Sequence, residues 1–419
     1  MFDVDGMAVH AFFNPPSIVA DQFSEEDVGM LALPLACHMA ADVRPHTLSM
    51  EGPGSFSAYD GVLRSALAAL LLEQDVYWQR RNSTSLPDIV WQGLEVNRSK
   101  RNRLDPRTVI LGFSGGKDSL VCLFSLLEAG FTVYPLLLNE GDRTWQDLRR
   151  WIPRLRGLGL QPLTAYLRID TRPALRRKYG KWHRSSYQIG WLTSVLALVA
   201  EKMGAAVICL GLEGSADRSG IICRDRIVNH QHQKTTDHMQ QLQDFFRQAV
   251  HPKLSIGSPI APFSDARILQ AMFTGLRPRW RHFSSCGSSN SQSKHCCACD
   301  KCAYIFALLA RTKKGRALAR HLFRRDLFED IELYRPWLDK RYRAPFACVG
   351  ERWELWAALE EALNDGGDSP VLAYWRQSPF RSQYHTEGHA SLPLHEAALA
   401  APVRSASKVV ARWAGLPST

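Results

Sequence analysis

The stretch TVILGFSGGKDSLVCLFSLLEAG, residues 108–130, constrains the fold more than any other part of the chain. TVILGF has the apolar character of a buried strand, and SLVCLFSLLEA has that of a helix stopped by Gly130. A pair of glycines lies between them. The sequence downstream repeats the alternation. TVYPLLLN (132–139) is a second strand, and TWQDLRRWIPRLRGLG (144–159) is an amphipathic helix that Pro153 kinks or splits. LTAYLRID (163–170) is a third strand, and SSYQIGWLTSVLALVAEKMG (185–204) is a long helix with a serine start and a glycine stop. AAVICLGL (205–212) is a fourth strand. Strands and helices in alternation predict an α/β fold with a parallel sheet and helices on both faces. Beyond about residue 250 the alternation ends and a cysteine cluster follows. From about Asp365 the chain is rich in Gly, Pro, Ser and Ala, a composition that predicts partial disorder.

The turn itself is Ser114-Gly115-Gly116-Lys117-Asp118-Ser119. Glycines let backbone N–H groups approach an anion, and the start of a helix adds positive partial charge. Ser114 and Ser119 offer hydroxyl donors, and Lys117 can offset phosphate charge. Asp118 fits either a Mg²⁺ ion beside the phosphate or a helix cap. This is not a Walker A loop, because Leu111 stands where the first glycine would be and Asp118 follows the lysine.

The charge balance agrees with an anionic ligand. The formal net charge is +11, which favours nucleic acid, nucleotides or phosphorylated precursors. The start MFDVDGMAVH lacks a signal-peptide core, and the longest apolar helix, IGWLTSVLALVA, is too short to span a bilayer. A cytoplasmic location is therefore expected, where the 10 cysteines stay reduced and a cluster of them reads as metal ligands. SSCGSSNSQSKHCCACDKCAYIFALLA (284–310) holds such a cluster. Cys286, Cys296, Cys299 and Cys302 supply four thiolates for tetrahedral Zn²⁺, with Cys302 on the first turn of a helix. Cys297 is a surplus thiol, and it and His295 leave the ligand set open. A closed four-cysteine site has no vacant position for catalysis and is structural.

SGGKDS after a hydrophobic strand resembles the loop of the PP-loop ATP pyrophosphatases. The resemblance implies a HUP-type doubly wound parallel sheet and cleavage of ATP between the α and β phosphates, with AMP transferred to a substrate oxygen. On that resemblance Ser114, Gly115, Gly116, Lys117, Asp118 and Ser119 hold the pyrophosphate and its Mg²⁺, and Asn139 lies where the adenosine is held. LGLEGSAD ends the fourth strand, so Gly211, Glu213 and Ser215 face the same cleft. The cysteine spacing after such a domain is similar to 7-cyano-7-deazaguanine synthase over roughly residues 108–310. DRIVNHQHQKTTDHMQQLQDFF (225–246), CACDKCAYIFALLA (297–310) and RYRAPFACVGERWELWAALEEA (341–362) look like the MurL family of UDP-N-acetylmuramoyl-L-alanyl-L-glutamate epimerases, over about residues 85–365. The organisation this implies is an N-terminal region (1–105), a PP-loop ATP-binding domain (106–250), a four-cysteine zinc-binding helical region (251–345), and a C-terminal helix with a partly disordered tail (346–419).

Epimerisation needs a base beside an activated carboxyl. Adenylation removes one negative charge and acidifies the α-proton, so that a base can remove it and reprotonation can follow on the other face. His230 and His232 are the leading candidates, with Lys234 as a partner for carboxylate or AMP. Cys223, Glu213 and Asp217 are reserves, while Arg224 and Arg226 fit an anionic substrate or a solvated face. The competing reading is a deazaguanine or tRNA-modifying enzyme. RPALRRKYGKWHR, RPRWRH and RTKKGRALARHLFRR interleave arginine with aromatic residues, as an RNA partner would require. A UDP-sugar peptide carries phosphates and carboxylates and favours the same basic character.

Overall fold

The computed structural model describes residues 2–4, 7–9, 11–43, 47–77, 86–94, 102–140, 143–169, 187–218, 221–223, 225–276, 283–284, 286, 295–342, 345, 349–387 and 398–417. The chain divides into two compact units. The first comprises Met1–Ser114, Leu126–Leu210 and Ile222–Ser258, and the second Gly115–Ser125, Gly211–Ile221 and Pro259–Thr419.

The first unit is built on a six-stranded sheet. Its strands in chain order are β1 (Ala11–Asn14), β2 (Asp105–Gly112), β3 (Thr132–Asn139), β4 (Leu163–Ile169), β5 (Ala205–Cys209) and β6 (Ser255–Gly257). Their spatial order is β6-β5-β2-β3-β4-β1. All neighbours are parallel except β1, which runs antiparallel to β4 with Phe13 opposite Leu167. β5 is buried at every position, and β2 is buried over its last four residues. Continuous apolar runs of this kind are what a parallel strand covered on both faces requires. The helix Gln188–Lys202 is buried along most of its length, from Trp191 to Glu201, which explains its near-unbroken apolar sequence.

The alternation does not end at residue 250. Ser255–Gly257 adds a further parallel strand beside β5, with Ile256 opposite Ile208. Three residues are too few to carry a readable period, so only the sheet edge reveals it. The helix expected around Pro153 is split ahead of the proline, into Arg143–Leu148 and Trp151–Gly157. Pro153 then falls in a first turn, where its missing N–H costs nothing. Residues N-terminal to β2 take part in this unit. Besides β1, the helix Asp60–Leu72 packs on the helices Glu25–Val43 and Thr236–Ala249.

The second unit is helical. From Pro259 onward its described α-helices are Asp265–Gly275, Asp300–Leu309, Lys313–Phe323, Ile331–Leu338, Arg352–Asn364, Pro370–Gln377, Pro379–Glu387 and Arg404–Trp413. Large aromatic side chains fill its core, with Tyr304 stacked on Trp337 and Trp356 on Trp375. Three of these helices lie in the stretch whose composition predicted partial disorder. They are specified by sparse but well-placed anchors, Val371, Leu372, Trp375, Val410 and Trp413, which are all buried. Ser369 caps one of them by accepting from Leu372 N–H at 3.3 Å, ahead of Pro370 in the first helical position. No described helix is long and apolar enough to cross a membrane.

Candidate functional site

The order of the parallel strands has a switch point. β2 and β5 are neighbours, yet the chain leaves β2 toward β3 and β4 on one side and reaches β6 on the other. In open α/β sheets ligands bind outside the carboxyl ends of the strands at such a point. The residues that follow β2 and β5 in the chain are the glycine turn and the GLEGS segment.

Gly115 has φ +72°, a left-handed conformation that a side chain would oppose, so the turn needs glycine there. The helix Lys117–Glu128 starts immediately afterwards. Leu120 N–H donates to the Gly116 carbonyl at 3.1 Å, and the Ser119 hydroxyl donates to the same oxygen at 3.2 Å. Gly211 presses on the turn from the other segment. A Cβ at that position would lie 2.7 Å from Asp118 Cβ, which excludes any larger residue without a shift. Gly214 N–H donates to the Phe263 carbonyl at 2.9 Å, so the GLEGS segment is pinned in turn by the chain that leads into the helix Asp265–Gly275.

Lys117 does not face outward. Its side chain is buried and its ammonium reaches both Asp118 and Asp265. Burial opposes the charge, but Asp118, Asp265 and Glu213 outweigh it and hold the lysine well above its ordinary range. Asp265 is buried, and its N–H donates to the Ser215 hydroxyl at 3.0 Å. The Tyr304 hydroxyl donates to Glu354, whose other carboxylate oxygen accepts from Ala266 N–H at 3.4 Å. Burial and then the charge of Asp265 push Glu354 up to about 7. Gly350 closes the cluster. A Cβ there would meet Tyr304 Oη at 2.1 Å, Glu354 Oε2 at 2.6 Å and Asp265 Oδ2 at 2.7 Å.

This raised carboxyl gives a stability that varies with pH. The unfolded Glu354 titrates near 4.5 and the folded one near 7, so its contribution is complete below 4.5 and is lost as pH rises through 7. Wild type is expected to lose about 2 kcal/mol relative to Glu354→Gln between pH 5 and pH 8. Urea unfolding of both proteins across that range measures it. A difference that stays flat with pH would mean that the carboxyl is ionised throughout.

The histidines belong to the first unit. His230 Nδ1 lies 3.2 Å from Glu73 Oε1, and Glu73 is buried. His232 Nε2 lies 3.5 Å from the Ser65 hydroxyl, and burial lowers its pKa against the pull of Asp237. Behind it, with ring centroids 5.1 Å apart, is the fully buried His238, which burial depresses to about 3. His238 Nε2 lies 2.7 Å from Tyr187 Oη. Lys234 donates to Gln231 Oε1 at 3.0 Å. Asn139 ends β3 in this unit, half-buried, and Ser114 is exposed at its boundary. In the second unit, Asp217 is exposed. Arg226 is exposed on a short strand, Arg226–Val228. Arg224 and the side chain of Cys223 lie outside the described residues, as do RPALRRKYGKWHR and RPRWRH. In the third basic segment Arg316 pairs with Asp326 and Glu329, and Arg325 with Asp330, so part of its charge is engaged within the helical unit.

The cysteines form a second centre. The sulfur atoms of Cys286, Cys296, Cys299 and Cys302 all lie within 4.8 Å of one another. Cys286 and Cys299 are 4.0 Å apart, and Cys296 and Cys302 3.9 Å. A tetrahedron with ordinary Zn–S bonds has edges of about 3.8 Å, so the four thiols fit a structural metal ion such as zinc. Cys297 turns away. It adopts φ +56°, and its thiol donates to the Phe323 carbonyl at 3.3 Å. His295 stacks on the Phe323 ring at 4.3 Å. The local fold thus separates both from the four-sulfur cluster.

Sequence reasoning missed Asp265, Tyr304 and Glu354. Asp265 follows Ser264 in a helix-start pattern that reads as capping alone, and Ser264 does accept from Arg267 N–H. Glu354 lies just past the APFACVG stretch, whose glycine is the residue that makes room for it.

The six-stranded, mostly parallel sheet makes this an α/β protein. The comparison with protein families is more specific. Residues 80–258 match the MurL N-terminal domain, and residues 281–389 match the MurL C-terminal domain, a model named for an epimerase. The two matches together span well over half of the chain, which therefore belongs to the MurL family. No curated protein matches the chain.

Proposed function

We propose that this protein is an ATP-dependent epimerase of peptidoglycan precursor synthesis, converting the terminal L-glutamate of UDP-N-acetylmuramoyl-L-alanyl-L-glutamate to D-glutamate. The observation that carries the reading is the paired match to both MurL domains, in a chain whose glycine turn directly follows strand β2 and opens a helix. The first step is adenylation. A substrate carboxylate oxygen bonds to the α-phosphorus of ATP, the bond to the β-phosphate oxygen breaks, and pyrophosphate leaves. Backbone N–H groups of Gly115, Gly116 and the helix start, with Ser114 and Ser119, receive the phosphates. Asp118, with 27% of its side chain exposed, is the carboxylate that would hold the accompanying Mg²⁺.

In the second step a base takes the α-proton from the acyl adenylate, and a proton returns on the opposite face. Water then releases AMP and the inverted glutamate. His230 is the stronger base candidate, because the buried Glu73 carboxylate, 3.2 Å from Nδ1, orients its ring and favours the imidazolium that forms when it takes a proton. His232 is half-buried and held neutral, which suits a group that receives a proton transiently. Lys234 is the candidate partner for a carboxylate or for AMP. The four cysteines hold the helical unit in shape and take no part in the proton transfers.

The test is turnover of ATP with this substrate and Mg²⁺ in D₂O, followed by ³¹P and proton NMR. AMP and pyrophosphate are expected, with deuterium entering the glutamate α-carbon. AMP without deuterium would retain adenylation and refute inversion, and would turn the search to deazaguanine or tRNA substrates. No substrate-dependent AMP would refute the reaction as written.

A further inference from the structure

A row of buried polar contacts stands behind the glycine turn, and the reaction above uses only its outer end, Asp118. It begins at Lys117, whose ammonium is shared by Asp118 and Asp265. Asp265 opens its helix, and its backbone N–H is fixed to Ser215 at 3.0 Å. Its Oδ2 converges with Glu354 Oε2 and Tyr304 Oη on the open side of Gly350. The exposures are 4% for Lys117, 3% for Asp265, 1% for Tyr304, 8% for Glu354 and 0% for Ser215. Asp118 alone keeps part of its side chain, 27%, in contact with solvent. The row therefore runs from an interior anchor to one partly exposed carboxylate.

A lone aspartate at a helix start has free rotation about its side-chain bonds and orients a cation poorly. Here Lys117 holds Oδ1 of Asp118. Lys117 has no comparable freedom, because Asp265 holds it from the inner side and Ser215, Tyr304 and Glu354 hold the Asp265 region. We propose that Asp265 is a positioning residue for the glycine turn, acting through Lys117 to orient Asp118 toward the divalent cation of a bound nucleoside triphosphate. The proposal rests on the reading that the turn takes ATP with Mg²⁺. It assigns a ligand-site role to a residue of the helical unit that never touches the nucleotide. Neutralising Asp265 leaves Lys117 with its full charge on Asp118, which draws that carboxylate away from a cation.

The experiment is equilibrium binding of the α,β-methylene analogue of ATP to the full chain, with Mg²⁺ and with EDTA, for wild type and Asp265→Asn. Wild type is expected to bind more tightly with Mg²⁺. Asp265→Asn is expected to lose about tenfold of that Mg²⁺-dependent gain, the worth of one charge-assisted contact, with little change in EDTA. An unchanged gain overturns the proposal. So does an equal loss with and without Mg²⁺, which is what mere structural support of the turn would produce. Wild type that fails to bind the analogue refutes the ATP reading itself, a result visible before any variant is made. If Asp265→Asn lacks a cooperative melt, Tyr304→Phe decides. It removes one hydroxyl and is expected to reduce the Mg²⁺-dependent gain about threefold, and no reduction overturns the proposal.

Discussion

Cys302→Ser is expected to abolish metal binding by the four-cysteine cluster and, with it, the folded state of the helical unit. The four sulfur atoms lie within 4.8 Å of one another, and Cys302 is a buried member of the set on the first turn of the helix Asp300–Leu309. A structural zinc ion bound by thiolates contributes on the order of 10 kcal/mol to the folding of a small domain, because the unfolded chain offers no ready-made site. Three remaining thiolates hold the ion far less well, and the serine hydroxyl is a poor replacement at neutral pH. The measurement is metal content by mass spectrometry together with helical circular dichroism during a melt. Cys297→Ser is the contrast. Its sulfur already donates to the Phe323 carbonyl and stands outside the cluster, so that variant should keep the metal. Full metal content in Cys302→Ser, or equal loss in both variants, would refute the four-cysteine assignment.

Lys117→Met should destabilise the protein by about 3–5 kcal/mol at pH 7, the usual result of removing one partner from a buried ion pair. Methionine keeps the apolar stem of the lysine but removes its ammonium, leaving Asp118 and the buried Asp265 with no cation between them. The sign follows from the raised lysine. Its contribution is complete below the unfolded value of 10.5 and is lost only as pH rises through the higher folded value, so at pH 7 it is present in full. Urea unfolding of both proteins at pH 7 measures the loss. A loss below about 1 kcal/mol at pH 7 would show that the carboxylates find other partners, contrary to the cost of an uncompensated buried charge.

The parts of the site that were legible in sequence are those made of neighbours in the chain. The turn Ser114–Ser119 could be found because strand, glycines and helix follow one another without a break. The cysteines could be found because Cys296, Cys299 and Cys302 recur every three residues. Their partner Cys286 lies outside that period but close by in the chain, within the same cysteine-rich stretch. Cys297 and His295 could not be separated from the set by spacing, because the decision lies in a backbone angle, φ +56° at Cys297, and in the Phe323 ring that takes up His295. Lys117 shows the opposite limit. Its place in the loop pointed to phosphate, yet its ammonium turns to Asp265, 148 residues further along the chain. No local rule relates those two positions.

Local patterning was enough to set the class of fold, since continuous apolar strands alternating with helices have few stable solutions other than a covered parallel sheet. It also marked the turn itself, since residue 115 takes φ +72°, a conformation that favours glycine. The strand order, the short outer strands β1 and β6, and the cluster of Lys117, Asp265, Tyr304, Glu354 and Gly350 came from the packed chain instead. The reason is physical. Periodicity and turn chemistry act over a few residues, whereas a buried charge takes its partners from whatever the packed core brings within reach, at any distance along the chain.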